Sequence, residues 1–298
     1  MPATRGKILD RNGVVLATSL PVKAIWADPD AVPDNLPEAK WQQLAQLLGM
    51  NDKDLRAKIN GGKNFVYLKH QVVPEVADKI AALKIDGIYQ QREYKRYYPE
   101  GEAIAHVIGF TDVQDKGVEG IEYTQQLLLA GKAGRRQVIK DRLGRIVEDV
   151  GVLSEPRNGQ ELQLSIDSKI QYLAYNELKA AVESHNAKGG GVVVVDAQTG
   201  EILALANLPS YNPNARSAFT TEQQRNRVVT DMFEPGSTMK PITIALALDR
   251  GIVTPTTVID TSGGKLTIGT STITDAHPHG PLTVEEVIQK SSNVGTGR

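Results

Sequence analysis

The chain has 298 residues, more than one compact domain usually holds, and 40% of them are hydrophobic, which supports a full core and excludes a disordered or low-complexity chain. The 34 Lys and Arg stand against 35 Asp and Glu, so no global field draws the chain onto nucleic acid or anionic lipid. No Cys is present, which excludes disulfides, thiolate zinc sites and a cysteine nucleophile.

From Met1 the chain runs directly into PATRG with no signal-peptide core, and no later run reaches the ~18 apolar residues of a membrane span, so a soluble chain is expected. Residues 1–155 alternate short strand-like runs with hairpin signals and two amphipathic helices. In PEAKWQQLAQLLGM, Trp41, Leu44, Ala45 and Leu48 share one helical face, and Gly49 supplies the stop. In PEVADKIAALKIDG, Pro74 suits a first turn, and Val76, Ala77, Ile80 and Leu83 share a face. QREYKRYY mixes basic and aromatic residues as alternation along a strand does. GKNF near Gly62 lacks the upstream glycine and following Ser or Thr of a P-loop.

A short echo links Ile8–Leu16 with Ile139–Val147 in the form I-x-D-R-x-G-x-x-[LV]. Each copy reads as strand, turn and returning strand, with Asp bonding the turn backbone and Gly taking positive φ. Nine residues are too few to mean duplicated domains.

SEPRNGQ reads as a loop, and the domain boundary is placed there, giving 1–155 and 156–298. Beyond it Asp167 is a cap for a helix through SKIQYLAYNELKAAVESHN, with Ile170, Leu173, Ala174, Leu178, Ala181 and Val182 as its apolar stripe and glycines 189–191 as its end. VVVVD and EILALAN, joined by AQTG, predict a hairpin covered by that helix, and LPSYNPN closes the unit as a loop. The fold class is therefore α+β.

Ser-x-x-Lys occurs twice, where chance alone predicts about one match in a chain of this length. In Ser262-Gly263-Gly264-Lys265 the paired glycines favour a turn that does not fix serine against lysine. Ser237-Thr238-Met239-Lys240 instead opens an apolar, helix-spaced segment, ITIALALDRG, behind Gly236 and with Pro241 suited to the first turn. Free N–H groups and the helix dipole then favour negative charge on the serine oxygen, and the three-residue spacing puts both side chains on one face. Lysine serves as a base when burial lowers its pKa, and Phe233, Met239 and the apolar helix are the candidates to bury Lys240. These residues alone leave open a serine N-cap beside a solvated lysine. Downstream, helix-like TVEEVIQK leads into Ser291, Ser292 and Asn293, which a loop can present over the same cleft; a second hydroxyl there suits proton relay between the lysine and a leaving amine, and the amide suits orientation of a substrate and the lysine. Ser184-His185-Asn186 and Ser210-Tyr211-Asn212 share the Ser-x-Asn form, but one ends a helix and the other lies in the Pro-rich loop. His277 and His279 lack a third metal ligand in reach and read as loop residues.

The order FEPGSTMKP then KSSN resembles the penicillin-binding proteins, serine D,D-transpeptidases of peptidoglycan, a superfamily marked by S-x-x-K, a Ser-x-Asn motif and K-T-G. RGKILDRNG, RYYPEGEAIAHVIGF and GVEGIE look like motifs of the non-catalytic N-terminal module of class B members, and GGVVVVDAQTGEILALANLPSYNPN looks like the opening of their transpeptidase domain. The N-terminal stretch and NRVVTDMFEPGSTMKP are most similar to the division-specific type. The resemblance implies an elongated β-rich N-terminal module followed by an incomplete penicillin-binding, serine β-lactamase-like domain with antiparallel sheet and helices. It implies Ser237 as nucleophile toward D-Ala-D-Ala stem peptides or β-lactams, Lys240 as base, Ser291 as proton shuttle and Asn293 as substrate ligand, with no cofactor and no metal. It also implies a glycosyltransferase and other division proteins as partners of the N-terminal module, and an inner-membrane protein whose catalytic part is periplasmic. No Lys-Thr-Gly or Lys-Ser-Gly occurs, and no anchor precedes RGKILD, so an internal fragment, poorly active by itself, is expected.

Overall fold

The computed structural model describes residues 2–61, 65–140, 146–215 and 219–298, with residues 140 and 146–149 as backbone alone. It forms two compact units, Met1–Asp231 and Met232–Arg298.

The first unit begins with strands β1 (Ile8–Leu9) and β2 (Val15–Ala27), paired antiparallel across the DRNG turn. The Asp10 carboxylate accepts from the N–H groups of Asn12 and Val14, both at 2.8 Å, and Gly13 takes φ 84°, as the turn chemistry predicts. Helix α1 (Glu38–Leu48) buries the four expected residues, Trp41, Leu44, Ala45 and Leu48, and ends at left-handed Gly49. Each large side chain contributes roughly 1.5–3 kcal/mol of transfer free energy. Helix α2 (Asp52–Asn60) follows at once, capped by Asn51, and only Leu55 and Ile59 turn inward. Strand β3 (Val66–Val72), helix α3 (Pro74–Ala82) and strand β4 (Ile88–Tyr97) complete this part, with β2 central between antiparallel β3 and β4. Gly62, Lys63 and Asn64 of GKNF lie outside the described residues.

Three short helices come next: α4 (Ala105–Ile108), α5 (Gly120–Thr124) and α6 (Gln126–Leu129). Here the three N-terminal motifs converge on one buried carboxylate. Glu122 Oε2 accepts from Arg5 Nε at 2.5 Å and Oε1 from Arg96 Nε at 2.6 Å, with all three side chains fully buried. Arg5 also donates to the Glu122 carbonyl and to Gln126 Oε1. Gly109 and Gly120, both at positive φ, bring their backbones together so closely that a Cβ on Gly109 would lie 1.9 Å from the Glu119 carbonyl oxygen.

Strands β5 (Arg135–Lys140) and β6 (Ile146–Ser154) form an antiparallel ribbon around the second copy of the echo, whose turn, residues 141–145, lies outside the described residues. Strand β7 (Leu162–Gln163) then pairs parallel with β1, and Asp167 caps helix α7 (Ser168–Ser184). The expected stripe of α7 needs correction, because Leu173 is 60% exposed while Gln171 and Tyr175 are buried. Gln171 faces inward because its amide donates to the carbonyls of Ala103 and Leu205 and accepts from the N–H of Leu205. The helix also stops at Ser184, before the glycines, and Gly190 and Gly191 already belong to strand β8 (Gly190–Val195). Strand β8 forms the expected hairpin with β9 (Ile202–Leu208), which α7 covers. Tyr211, from the following loop, enters the core formed by Ile8, Leu16, Tyr98 and Ile104, so the chain around residue 211 and the N-terminal strands share one core. Helices α8 (Thr221–Gln224) and α9 (Arg227–Thr230) end the unit.

The second unit contains α10 (Lys240–Asp249), β10 (Val258–Ile259), β11 (Lys265–Ile268), β12 (Ser271–Thr274), β13 (Leu282–Thr283), α11 (Val284–Gln289) and α12 (Asn293–Gly297). Strand β10 pairs antiparallel with β13, and β11 with β12. Ile244 of α10 packs on Leu282, Val284 and Val287. Among the described residues no helix is long and apolar enough to cross a membrane.

Candidate active site

All four residues singled out in the sequence lie in the second unit. Ser237 sits in a 3-10 turn, Gly236–Met239, and α10 starts at Lys240 with Pro241 in its first turn, so the serine precedes the α-helix by one turn. The α11 helix carries a capping box between Thr283 and Glu286 and is capped at its C-terminus by Lys290, which delivers Ser291 to the same place. Ser291 has φ 51°, a left-handed conformation that a residue with a side chain adopts at a cost.

Lys240 Nζ donates to Ser291 Oγ at 3.0 Å and to the Ser291 carbonyl at 2.5 Å, and Ser291 Oγ donates to Ser237 Oγ at 3.1 Å. The link between the expected nucleophile and the expected base therefore runs through Ser291. This serine presents both its hydroxyl and its carbonyl to Lys240 Nζ. Asn293 opens α12; its amide donates to the Thr274 carbonyl at 2.7 Å, at the end of β12, and its N–H donates to Asp275. Burial pushes the Asp275 carboxyl up, but hydrogen bonds from the Val294 N–H, the Ser292 hydroxyl and the Asn293 N–H outweigh it and hold the group below the usual carboxylate range.

The expected burial of Lys240 is corrected. Phe233 is 81% exposed and Met239 is also exposed, because the segment before α10 runs over the surface of its unit, and Lys240 is only partly covered. The other Ser-x-x-Lys forms the expected turn, with Gly263 at φ 82° and Gly264 at φ 60°, and Lys265 starts β11. Ser184 ends α7, and Ser210 donates to the Glu102 carbonyl, so both alternative Ser-x-Asn segments belong to the first unit. Sequence reasoning missed Thr274 and Asp275, whose contacts with Asn293 bridge 19 and 18 residues and leave no local pattern.

The penicillin-binding protein transpeptidase domain matches residues 190–298, and the penicillin-binding protein dimerisation domain matches residues 1–164. The chain belongs to the class B penicillin-binding proteins. Within that family it is of the penicillin-binding protein 3 type. It is 46% identical over 301 residues to the probable peptidoglycan D,D-transpeptidase PenA of Neisseria meningitidis, across 100% of this chain and 52% of that protein. It is 45% identical over 300 residues to the peptidoglycan D,D-transpeptidase FtsI of Escherichia coli, across 99% of this chain and 50% of that protein. A peptidoglycan synthetase structure from Bifidobacterium adolescentis aligns with a TM-score of 0.68 at 27% identity, over 99% of this chain and 58% of that one. The chain thus spans about half the length of the curated relatives it matches.

Proposed function

We propose that the whole protein is a serine D,D-transpeptidase that cross-links peptidoglycan stem peptides during cell division. The observation that carries this reading is the hydrogen-bonded chain from Lys240 through Ser291 to Ser237. Ser237 attacks the carbonyl of the D-Ala-D-Ala bond, its proton passes toward Lys240, and Ser291 returns a proton to the departing D-Ala amine. The tetrahedral oxyanion is held in part by the N–H of Ser237. An acyl-enzyme results, which the amine of a neighbouring stem resolves into a cross-link, whereas water gives carboxypeptidase activity. Asn293 binds the substrate amide. β-Lactams, as mimics of D-Ala-D-Ala, acylate the same serine.

In this reading residues 1–155 form the non-catalytic module, which meets a glycosyltransferase and other division proteins, and residues 156–298 carry the catalytic elements. The protein is held at the inner membrane with its catalytic part in the periplasm. The 298-residue chain, which contains no Lys-Thr-Gly or Lys-Ser-Gly, turns over poorly by itself.

Release of D-Ala from a synthetic stem peptide by the full-length protein, absent in Ser237→Ala, tests the reading. A division scaffold or β-lactam sensor would release none in either form.

A further inference from the structure

The sheet of the first unit has a covered face and an open one. Strand alternation sends Ile25, Leu68 and Ile88 into the core beneath α1, α2 and α3, and sends Trp26, Tyr67 and Tyr89 to the opposite face. Trp26, on central β2, is paired with Tyr67 on one side and Tyr89 on the other. The rings form a ladder across the strands. Trp26 stacks on Tyr89 with centroids 4.5 Å apart and planes 28° from parallel, and meets Phe65 at 4.8 Å and 32°. Tyr67 meets Phe65 edge-on at 4.7 Å. Phe65 is 44% exposed and Tyr89 37%, so the ladder reaches solvent at both flanks. Single exposed apolar side chains are ordinary on a protein surface, whereas a contiguous cluster marks a binding face.

Polar groups continue the same face along β4. Gln91 Oε1 accepts from the Tyr67 hydroxyl at 3.3 Å, and the Glu93 carboxylate meets His70 Nδ1 at 2.7 Å and the Gln71 N–H at 3.2 Å. The QREYKRYY stretch thus divides by face: Gln91 and Glu93 stand in a row with Tyr89, at steps of about 7 Å, and Arg92 and Tyr94 point the other way. Strand β4 pairs only with β2, and one face of the Tyr89 ring has no ring partner among the described residues.

The chemistry of this row selects its ligand. Its exposed apolar surface is aromatic rather than aliphatic, unlike the groove an apolar helix of a protein partner fills. The Glu93 carboxylate is already matched by His70 and the Gln71 N–H, so it leaves no free charge for an ionic ligand. What remains is a ring face beside planar hydrogen-bonding groups. A pyranose answers both, because its C–H bonds meet the negative face of an aromatic ring and its hydroxyls reach the amide and carboxylate alongside.

We propose that this face binds the glycan strand of peptidoglycan, a polymer of N-acetylated hexosamines, with one sugar stacked on the free face of Tyr89 and its neighbours laid along Gln91 and Glu93. The choice of polymer rests on the transpeptidase reading above, since an enzyme that joins stem peptides works on the strands that bear them. The face belongs to the first unit and Ser237 to the second, so glycan binding and acylation are separately measurable.

The test uses the full-length protein and fluorescently labelled glycan strands stripped of their stem peptides, which leaves the catalytic residues no peptide to hold. Fluorescence anisotropy reads the Kd, and labelling by penicillin is followed on the same samples. The wild type binds the strands, Phe65→Ala and Tyr89→Ala each raise the Kd roughly threefold to tenfold, and Tyr89→Phe, which keeps the ring, binds as the wild type does. All three variants take up penicillin at the wild-type rate. A wild type that is acylated but binds no stripped strand overturns the proposal and leaves the transpeptidase reading standing. Strand binding by a wild type that takes no penicillin overturns that reading and supports the glycan face. Alanine variants that bind strands as the wild type does overturn the proposal, as does an absence of strand binding together with loss of a co-purifying protein from these variants. If Tyr89→Ala does not fold, Tyr89→Leu decides, and a wild-type Kd in that variant overturns it.

Discussion

Ser291 Oγ donates to Ser237 Oγ across 3.1 Å although 54 residues separate the two serines. The same hydroxyl accepts from Lys240 at 3.0 Å, so it is placed to pass a proton in either direction. Ser291→Ala in the full-length protein is expected to slow acylation by penicillin about 10²- to 10⁴-fold, the usual size of a general acid–base contribution. The Tm should hardly move, because the side chain is exposed and its backbone bonds remain. Stopped-flow labelling beside a thermal melt checks both parts.

Glu122 makes a different kind of prediction. Its carboxylate is shared by two buried guanidiniums, so removing it strands two cations away from water. Glu122→Ala is expected to destabilise the first unit by about 3–5 kcal/mol, as breaking a buried pair does. Urea unfolding of the 298-residue chain measures this, and a loss below about 1 kcal/mol would show that the cluster adds little.

His106 predicts a pH dependence. Burial pushes its imidazole below the ordinary value, against the pull of a hydrogen bond to the Gln223 carbonyl at 2.8 Å. Above about pH 6.5 the ring is neutral in both states; below it the unfolded chain takes the proton first. The contribution is therefore present above about pH 6.5 and is lost as pH falls through the lower folded pKa. Glu119, pushed up by burial, acts with the opposite sign and returns stability as pH falls from its raised folded value toward about 4.3. The difference between wild type and His106→Gln isolates the histidine. Urea midpoints between pH 7 and 5 should fall more steeply in the wild type than in the variant.

Much of this architecture is legible in local spacing. Trp41, Leu44, Ala45 and Leu48 mark α1 because a single apolar face suffices to define it, and Asp167 marks the start of α7 by its cap. The missed helix α2 begins three residues past Gly49, with few apolar side chains, so its Asn51 cap is its main local sign. Gln171 defeats the stripe on α7 because a polar residue enters a core only where partners exist, and its carbonyl partners lie 68 and 34 residues away. The site divides the same way. Ser237 and Lys240 announce themselves by spacing at a helix start, whereas Asp275 stands in DAHPHG, where the histidines draw attention and the carboxylate acts through a tertiary contact. The Ser262–Lys265 segment reads correctly as a turn, but what the turn holds is visible only in three dimensions.

The most direct measurement is the mass of the peptide carrying Ser237 after the full-length protein is incubated with penicillin and digested. The account predicts an added penicilloyl group on Ser237, absent from Ser237→Ala. An unmodified Ser237 peptide, or a label that persists in Ser237→Ala, would contradict it.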